Sequence, residues 1–171
     1  MLNFFRKHII ATVIISCILI SCIVILYYRP NFRPGYQLHA HKAKILLLSC
    51  MDFRLIDDMV YKLILQGEVN NYDQFILAGA SLGYNAKPDW ARVFEEHIET
   101  ALALHDIEYI YIMDHLQCGM YKKHYGSQLD DTNEVALHRE NLQASINKLE
   151  SRFPGKFKYK TFIMALDGSL V

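Results

Sequence analysis

Beyond residue 43 the sequence alternates two hydrophobic periods, and that alternation constrains the fold more than any other feature. Lys44 to Ser49 is a short continuous apolar run, the pattern of a strand buried on both faces. Arg54 to Gln66 carries apolar residues at 55, 56, 59, 60, 63 and 64, which is helical spacing, and Gly67 supplies the stop. Gln74 to Ala78 reads as a second strand. Pro88 suits the first turn of a helix whose apolar face runs Trp90, Val93, Phe94, Ile98, Ala101 and Leu102. Glu108 to Met113, β-branched and aromatic, is a third strand. Asp131 with Glu134 has the spacing of a capping box, and Val135, Leu142, Ile146, Leu149 and Phe153 give the next helix its buried stripe before Pro154-Gly155. Tyr159 to Leu166 is a fourth strand, followed by a turn at Asp167-Gly168. Strand–helix alternation of this kind predicts an α/β domain over 44–171: a mostly parallel sheet of about four strands flanked by helices.

Ahead of the domain, Ile9 to Tyr28 is an uncharged run of about twenty residues, rich in Ile and Val. At ~1.5 Å per residue such a helix spans the ~30 Å bilayer core. The expected organisation is a basic flank over 1–8, a single transmembrane anchor over 9–28, a linker over 29–43, and the domain. A secretory signal is the rival, but its apolar region is usually shorter and no small-residue cleavage site follows Tyr28. Leu19-Ile20-Ser21-Cys22 has the look of a lipobox, though apolar residues continue past Cys22. Basic residues flank both ends, so charge does not fix the orientation.

The 18 basic and 18 acidic residues balance overall, yet six basic residues and no acidic one precede Ile45. The domain is therefore acidic, which argues against nucleic acid as a partner, since phosphate neutralisation needs a basic face. Two of the four cysteines, Cys17 and Cys22, sit in the apolar run; only Cys50 and Cys118 belong to the domain, too few for a disulfide framework.

In open parallel sheets ligands bind beyond the carboxyl ends of the strands, where strand order reverses. Cys50 follows the first strand; His115 and Cys118 follow the third. If those strands are neighbours, the three residues converge. Thiolate sulfur and imidazole nitrogen suit Zn²⁺, and three protein ligands leave a fourth position open, as catalytic rather than structural zinc requires. Such a metal lowers the pKa of bound water to roughly 7. In Cys50-Met51-Asp52-Phe53-Arg54 a carboxylate and a guanidinium stand beside the first ligand. Arg54 can hold Asp52 by a charge-assisted hydrogen bond; released, Asp52 can take the fourth metal position and close the site.

Cys-x-Asp-x-Arg after the first strand and Asp114-His115-Leu116-Gln117-Cys118-Gly119 after the third resemble the motifs of the β-class carbonic anhydrases, over roughly Lys44 to Val171. The resemblance implies zinc held by Cys50, His115 and Cys118, catalytic roles for Asp52 and Arg54, and reversible hydration of CO2 to bicarbonate. It also implies a homodimer as the least assembly. The sequence departs from the family pattern at Leu77-Ala78-Gly79-Ala80, where two asparagines often stand, and at Asp114, where glycine commonly precedes the histidine. Three other readings stay open: a non-catalytic zinc module of the same fold, a hydrolase of a small sulfur analogue of CO2, and a thiol redox protein, the last weakened by the lack of Cys-x-x-Cys. Among the remaining polar residues, His124 is a candidate proton shuttle, Tyr84 and Asn85 are candidates for an entrance loop, His97 and His105 read as surface or interface side chains, and His138 as a helix-surface side chain.

Overall fold

The structure, a computed structural model, describes residues 12–23 and 41–171. Residues 12–23 form a helix, α1, with exposed side chains. The remainder of the proposed anchor over 9–28, the flank 1–8 and most of the linker lie outside the described residues. Among the described residues no helix is long and apolar enough to cross a membrane.

The unit that begins at His39 holds the sheet. Its elements run β1 (Ile45–Ser49), α2 (Ile56–Leu65), β2 (Tyr72–Ile76), α3 (Ser81–Ala86), α4 (Pro88–His105), β3 (Tyr109–His115), α5 (Gly119–Tyr125), a 3₁₀ turn (Gly126–Gln128), α6 (Glu134–Arg152) and β4 (Lys158–Met164). The four strands pair in the order β2-β1-β3-β4, all parallel. The predicted α/β class and sheet therefore hold, and β1 and β3 are direct neighbours.

Period-two alternation sorts the core. Leu46, Leu48, Ile110, Ile112 and Ile163 face one side, where they pack with Phe94 and Ile98 of α4 and Leu142 and Leu149 of α6. Ile45, Leu47, Tyr111, Met113 and Met164 face the other, beneath Leu55, Met59 and Leu63 at α2. Every residue of β1 is buried, which is why this strand reads as an unbroken apolar run.

Local differences from the predicted elements have physical causes. β2 starts two residues early, at Tyr72 opposite Ile45, because this edge strand carries Asp73 and Gln74 and lacks an apolar run at its start. β4 ends at Met164 rather than Leu166 because the chain turns there: Gly168 has φ +78, Ala165 N–H donates to Ser169 O, and Met164 forms an antiparallel bridge with Leu170. On α4 the buried face is Ala91, Phe94, Ile98 and Ala101, and Val93 is exposed. The capping box fails: Asn133, not Asp131, precedes α6, and the Glu134 carboxylate accepts the N–H of Gln117 instead of turning back on its own helix. Helix α3 is absent from the sequence reading, being a single six-residue stretch with no periodic signal.

Candidate metal centre

The parallel pairing of β1 with β3 sets Ser49 opposite Met113; β3 runs two residues further than expected, so Cys50, just past β1, emerges beside His115, the last residue of β3. The ligand atoms of Cys50, His115 and Cys118 lie within 4.8 Å of one another. The two sulfurs are 4.0 Å apart. Cys118 and His115 are buried and Cys50 is half-buried.

His115 is set up as a ligand by its own loop. Its Nδ1 lies 2.9 Å from Leu116 O, and since a carbonyl only accepts, Nδ1 carries the proton. Nε2 is thus left with a lone pair, and it is buried without a hydrogen-bond partner. An unsatisfied buried acceptor is costly, and a cation between Nε2 and the two sulfurs removes that cost. The donor set, two thiolates and an imidazole, is one that zinc favours.

The thiols share one proton between them. Hydrogen bonding from Cys118 pulls Cys50 down to about 4, with further help from His115 and from the Gly79 N–H, which donates to Cys50 Sγ at 3.3 Å. The same contact, with burial, pushes Cys118 up. Burial alone would lower His115, but the adjacent Cys50 thiolate and the Leu116 carbonyl more than offset it, and its pKa rises.

Gly79 answers two demands at once. Its φ is +75, and a Cβ there would sit 2.8 Å from Met120 Cγ. A side chain would push the backbone away from the Cys50 sulfur. The segment without the asparagines therefore still brings a backbone donor to the site.

Asp52 and Arg54 form a forked pair: Arg54 Nε donates to Oδ1 at 2.9 Å and Nη2 to Oδ2 at 2.6 Å. Asp52 Oδ1 also accepts Arg54 N–H, so the carboxylate closes a local turn and does not cap α2, which starts at Ile56 without a side-chain cap. The Arg54 side chain holds the Asp52 carboxyl at about 2, below the usual carboxylate range. Asp52 Oδ2 stands 3.8 Å from His115 Nε2. The carboxylate is therefore beside the centre and turned to Arg54. A pocket of only about 10 Å³ opens here, lined by Cys50, Asp52 and His115 together with Met59, Met113 and Met164.

Behind the histidine lies a network that the sequence does not announce. Asp114 is buried, and its carboxylate accepts from the Ser81 hydroxyl, from Ser81 N–H at 3.0 Å, from Tyr121 OH at 2.7 Å and from His138 Nδ1 at 2.9 Å. Asp114 thus ties the residue before His115 to α3, α5 and α6. His138, expected on the surface, is fully buried, because α6 turns that face onto the ring of Tyr121 at 3.7 Å. The available signal was its place on the apolar stripe of α6, three residues after Val135 and four before Leu142.

The remaining candidates are elsewhere. Tyr84 is buried in α3 with its hydroxyl on Glu95, and Asn85 bonds to Asn141 of α6, so neither lines an entrance loop. His97 is exposed, and His105 pairs with Asp73 at the opposite ends of the strands. His124 is exposed on α5.

With that geometry in hand, comparison with known proteins places the fold. A β-carbonic anhydrase of Aspergillus fumigatus superposes with a TM-score of 0.56 at 14% identity, over 94% of this chain and 88% of that one. A tetrameric β-carbonic anhydrase of Sordaria macrospora gives 0.56 at 12% identity, over 96% of each chain. The protein has the β-carbonic anhydrase fold. In sequence it is 38% identical over 132 residues to an uncharacterized protein of Rickettsia conorii, covering 75% of this chain and 70% of that protein, and it belongs to the same family. No family model matches the sequence.

Proposed function

We propose that the protein is a zinc-dependent carbonic anhydrase that interconverts CO2 and bicarbonate. One observation carries the reading: the buried, unpartnered Nε2 of His115 sits with two cysteine sulfurs, beside an aspartate already held by an arginine. A purely structural zinc needs no such carboxylate–guanidinium pair.

Cys50, His115 and Cys118 would hold the metal. Bound zinc supplies a Lewis acid that makes a nucleophile available from water near neutral pH. The chain supplies the rest. Arg54 keeps Asp52 ionised and turned aside, so that an Asp52 oxygen can accept a hydrogen bond from the attacking water and orient it. Leu55, Met59, Met113 and Met164 add apolar lining suited to a small apolar substrate, and the pocket's size favours a molecule no larger than a few atoms. Asp114, through Ser81, Tyr121 and His138, anchors the backbone next to His115 so that the imidazole is fixed before the metal arrives.

The β-carbonic anhydrase fold and the oligomeric Sordaria protein support a homo-oligomer, to be read by sedimentation. The apolar run over 9–28 supports a single-pass membrane location; extraction from membranes by alkaline carbonate without detergent would overturn it.

The direct experiment measures zinc content and CO2 hydration on the purified chain, wild type beside Cys118→Ala. One zinc per chain with rapid hydration, both lost in the variant, is the expected result. Stoichiometric zinc with no hydration from neutral to alkaline pH would move the assignment to a non-catalytic module or to a sulfur analogue of CO2. Absence of zinc from reduced protein would end it.

A further inference from the structure

Glu134 is a buried carboxylate at the start of α6, and neither motif around the metal centre includes it. Its Oε1 accepts the N–H of Gln117 at 2.6 Å. Gln117 sits between the two ligands of the second motif, and its φ is +57, the left-handed region that a residue with a side chain enters only when the surroundings hold it there. The other face of the same residue points to the site: Gln117 O accepts from Arg54 Nη2 at 3.1 Å. That same nitrogen donates to Asp52 Oδ2 at 2.6 Å, and Asp52 Oδ2 is 3.8 Å from His115 Nε2.

A continuous line of hydrogen bonds thus runs from α6 through one strained residue to the guanidinium, and from there to the carboxylate. Arg54 is half-exposed and carries a long side chain, so its fork needs a third point of contact to be held in one place. The Gln117 carbonyl is that point, and its direction depends on the left-handed turn. Glu134 fixes the turn by a short hydrogen bond from the interior.

We propose that Glu134 is a positioning residue that keeps Arg54 on Asp52 and thereby keeps Asp52 off the metal's fourth position. The inference rests on the metal-centre reading above and adds the element that controls whether the site is open. When Glu134 is removed, Gln117 relaxes out of the left-handed region and its carbonyl leaves Arg54. Asp52 then competes with exogenous ligands for the metal.

The test loads the full-length protein with Co²⁺ and follows azide binding by visible absorption, a readout separate from turnover. Wild type and Glu134→Gln, whose amide oxygen still accepts from Gln117 N–H, should bind azide alike. Glu134→Ala should bind it about tenfold more weakly, as expected if the open fraction falls to about a tenth. Adding Asp52→Asn to Glu134→Ala should restore the affinity of the Asp52→Asn single variant, because the competing carboxylate is gone. Unchanged azide affinity in Glu134→Ala, or a weakening that Asp52→Asn leaves in place, overturns the proposal. Should Glu134→Ala not fold, Glu134→Asp, a methylene too short to reach Gln117, carries the same expectation. A wild type that takes up cobalt without a thiolate charge-transfer band would instead overturn the metal centre itself, and this inference with it.

Discussion

Cys50 Sγ and Cys118 Sγ lie 4.0 Å apart although 68 positions separate them in sequence. Two thiols this close cannot titrate independently; one holds the proton that stabilises the other as thiolate.

The metal-free protein should therefore show one thiolate well below neutral pH. With Cys50 drawn down to about 4, its alkylation rate should stay flat from about pH 8 to about pH 5.5. An ordinary cysteine would slow roughly tenfold per pH unit over that range. Buried Cys118 should react slowly throughout, and Cys118→Ala should return Cys50 to ordinary pH dependence. Mass spectrometry of iodoacetamide-treated protein reads each site; equal, steeply pH-dependent rates at both cysteines would contradict the shared proton.

Asp52 sets an acid limit. Its carboxyl is held at about 2 against an ordinary 3.8, chiefly by hydrogen bonding from Arg54. A lowered pKa stabilises the fold above the ordinary value, and that contribution disappears as pH falls through the interval from about 4 to about 2. Solvent at Arg54 screens the pair, so the expected size is about 1 kcal/mol. Urea unfolding of zinc-free protein at pH 5 and pH 3 should show wild type losing roughly half of that amount more than Asp52→Asn, pH 3 lying midway through the interval. Parallel losses in the two proteins would remove the pair from the stability of the domain.

Gly79→Ala should cost about 1–3 kcal/mol, from the left-handed φ and from the clash with Met120 together. Met120→Ala in the same chain should recover only the steric part. Zinc affinity should fall as well, since the N–H on Cys50 is displaced; a competition assay with a chromophoric chelator measures it.

Asp114→Ala should be the most damaging substitution of this group, at about 3–5 kcal/mol. It strands buried donors on Ser81, Tyr121 and His138. Denaturant midpoints give the size. A cost below about 1 kcal/mol would mean that the network is satisfied by water instead.

What the sequence could reveal follows from where periodicity and spacing carry the signal. The run from Lys44 to Ser49 and the β-branched and aromatic stretch before His115 announce two central strands, and the neighbouring placement of β1 and β3 brings Cys50 to His115 and Cys118. The spacing of Asp52 and Arg54 likewise matches the fork that the structure contains. Glu134 and His138 escaped because their partners are long-range. A Glu three positions after Asp131 has the local spacing of a helix cap, and only the fold brings Gln117 N–H to it. His138 falls on the apolar stripe, three residues after Val135 and four before Leu142, but a histidine there is buried only because Asp114 arrives from β3 to receive it. The six residues of α3 are too few to show a period; their position is set by Ser81 on Asp114.

Cys50 and Cys118 lie just past β1 and β3, and His115 is the last residue of β3, so a bound ion would act as a clasp on the middle of the sheet. Ligand linkage then makes the stability of the domain a function of zinc supply. Each tenfold rise in free zinc above the dissociation constant adds about 1.4 kcal/mol. If zinc occupies the site, a zinc-starved cell would leave the same chain less resistant to unfolding, and hence to proteolysis, so that its abundance would follow the supply of that metal.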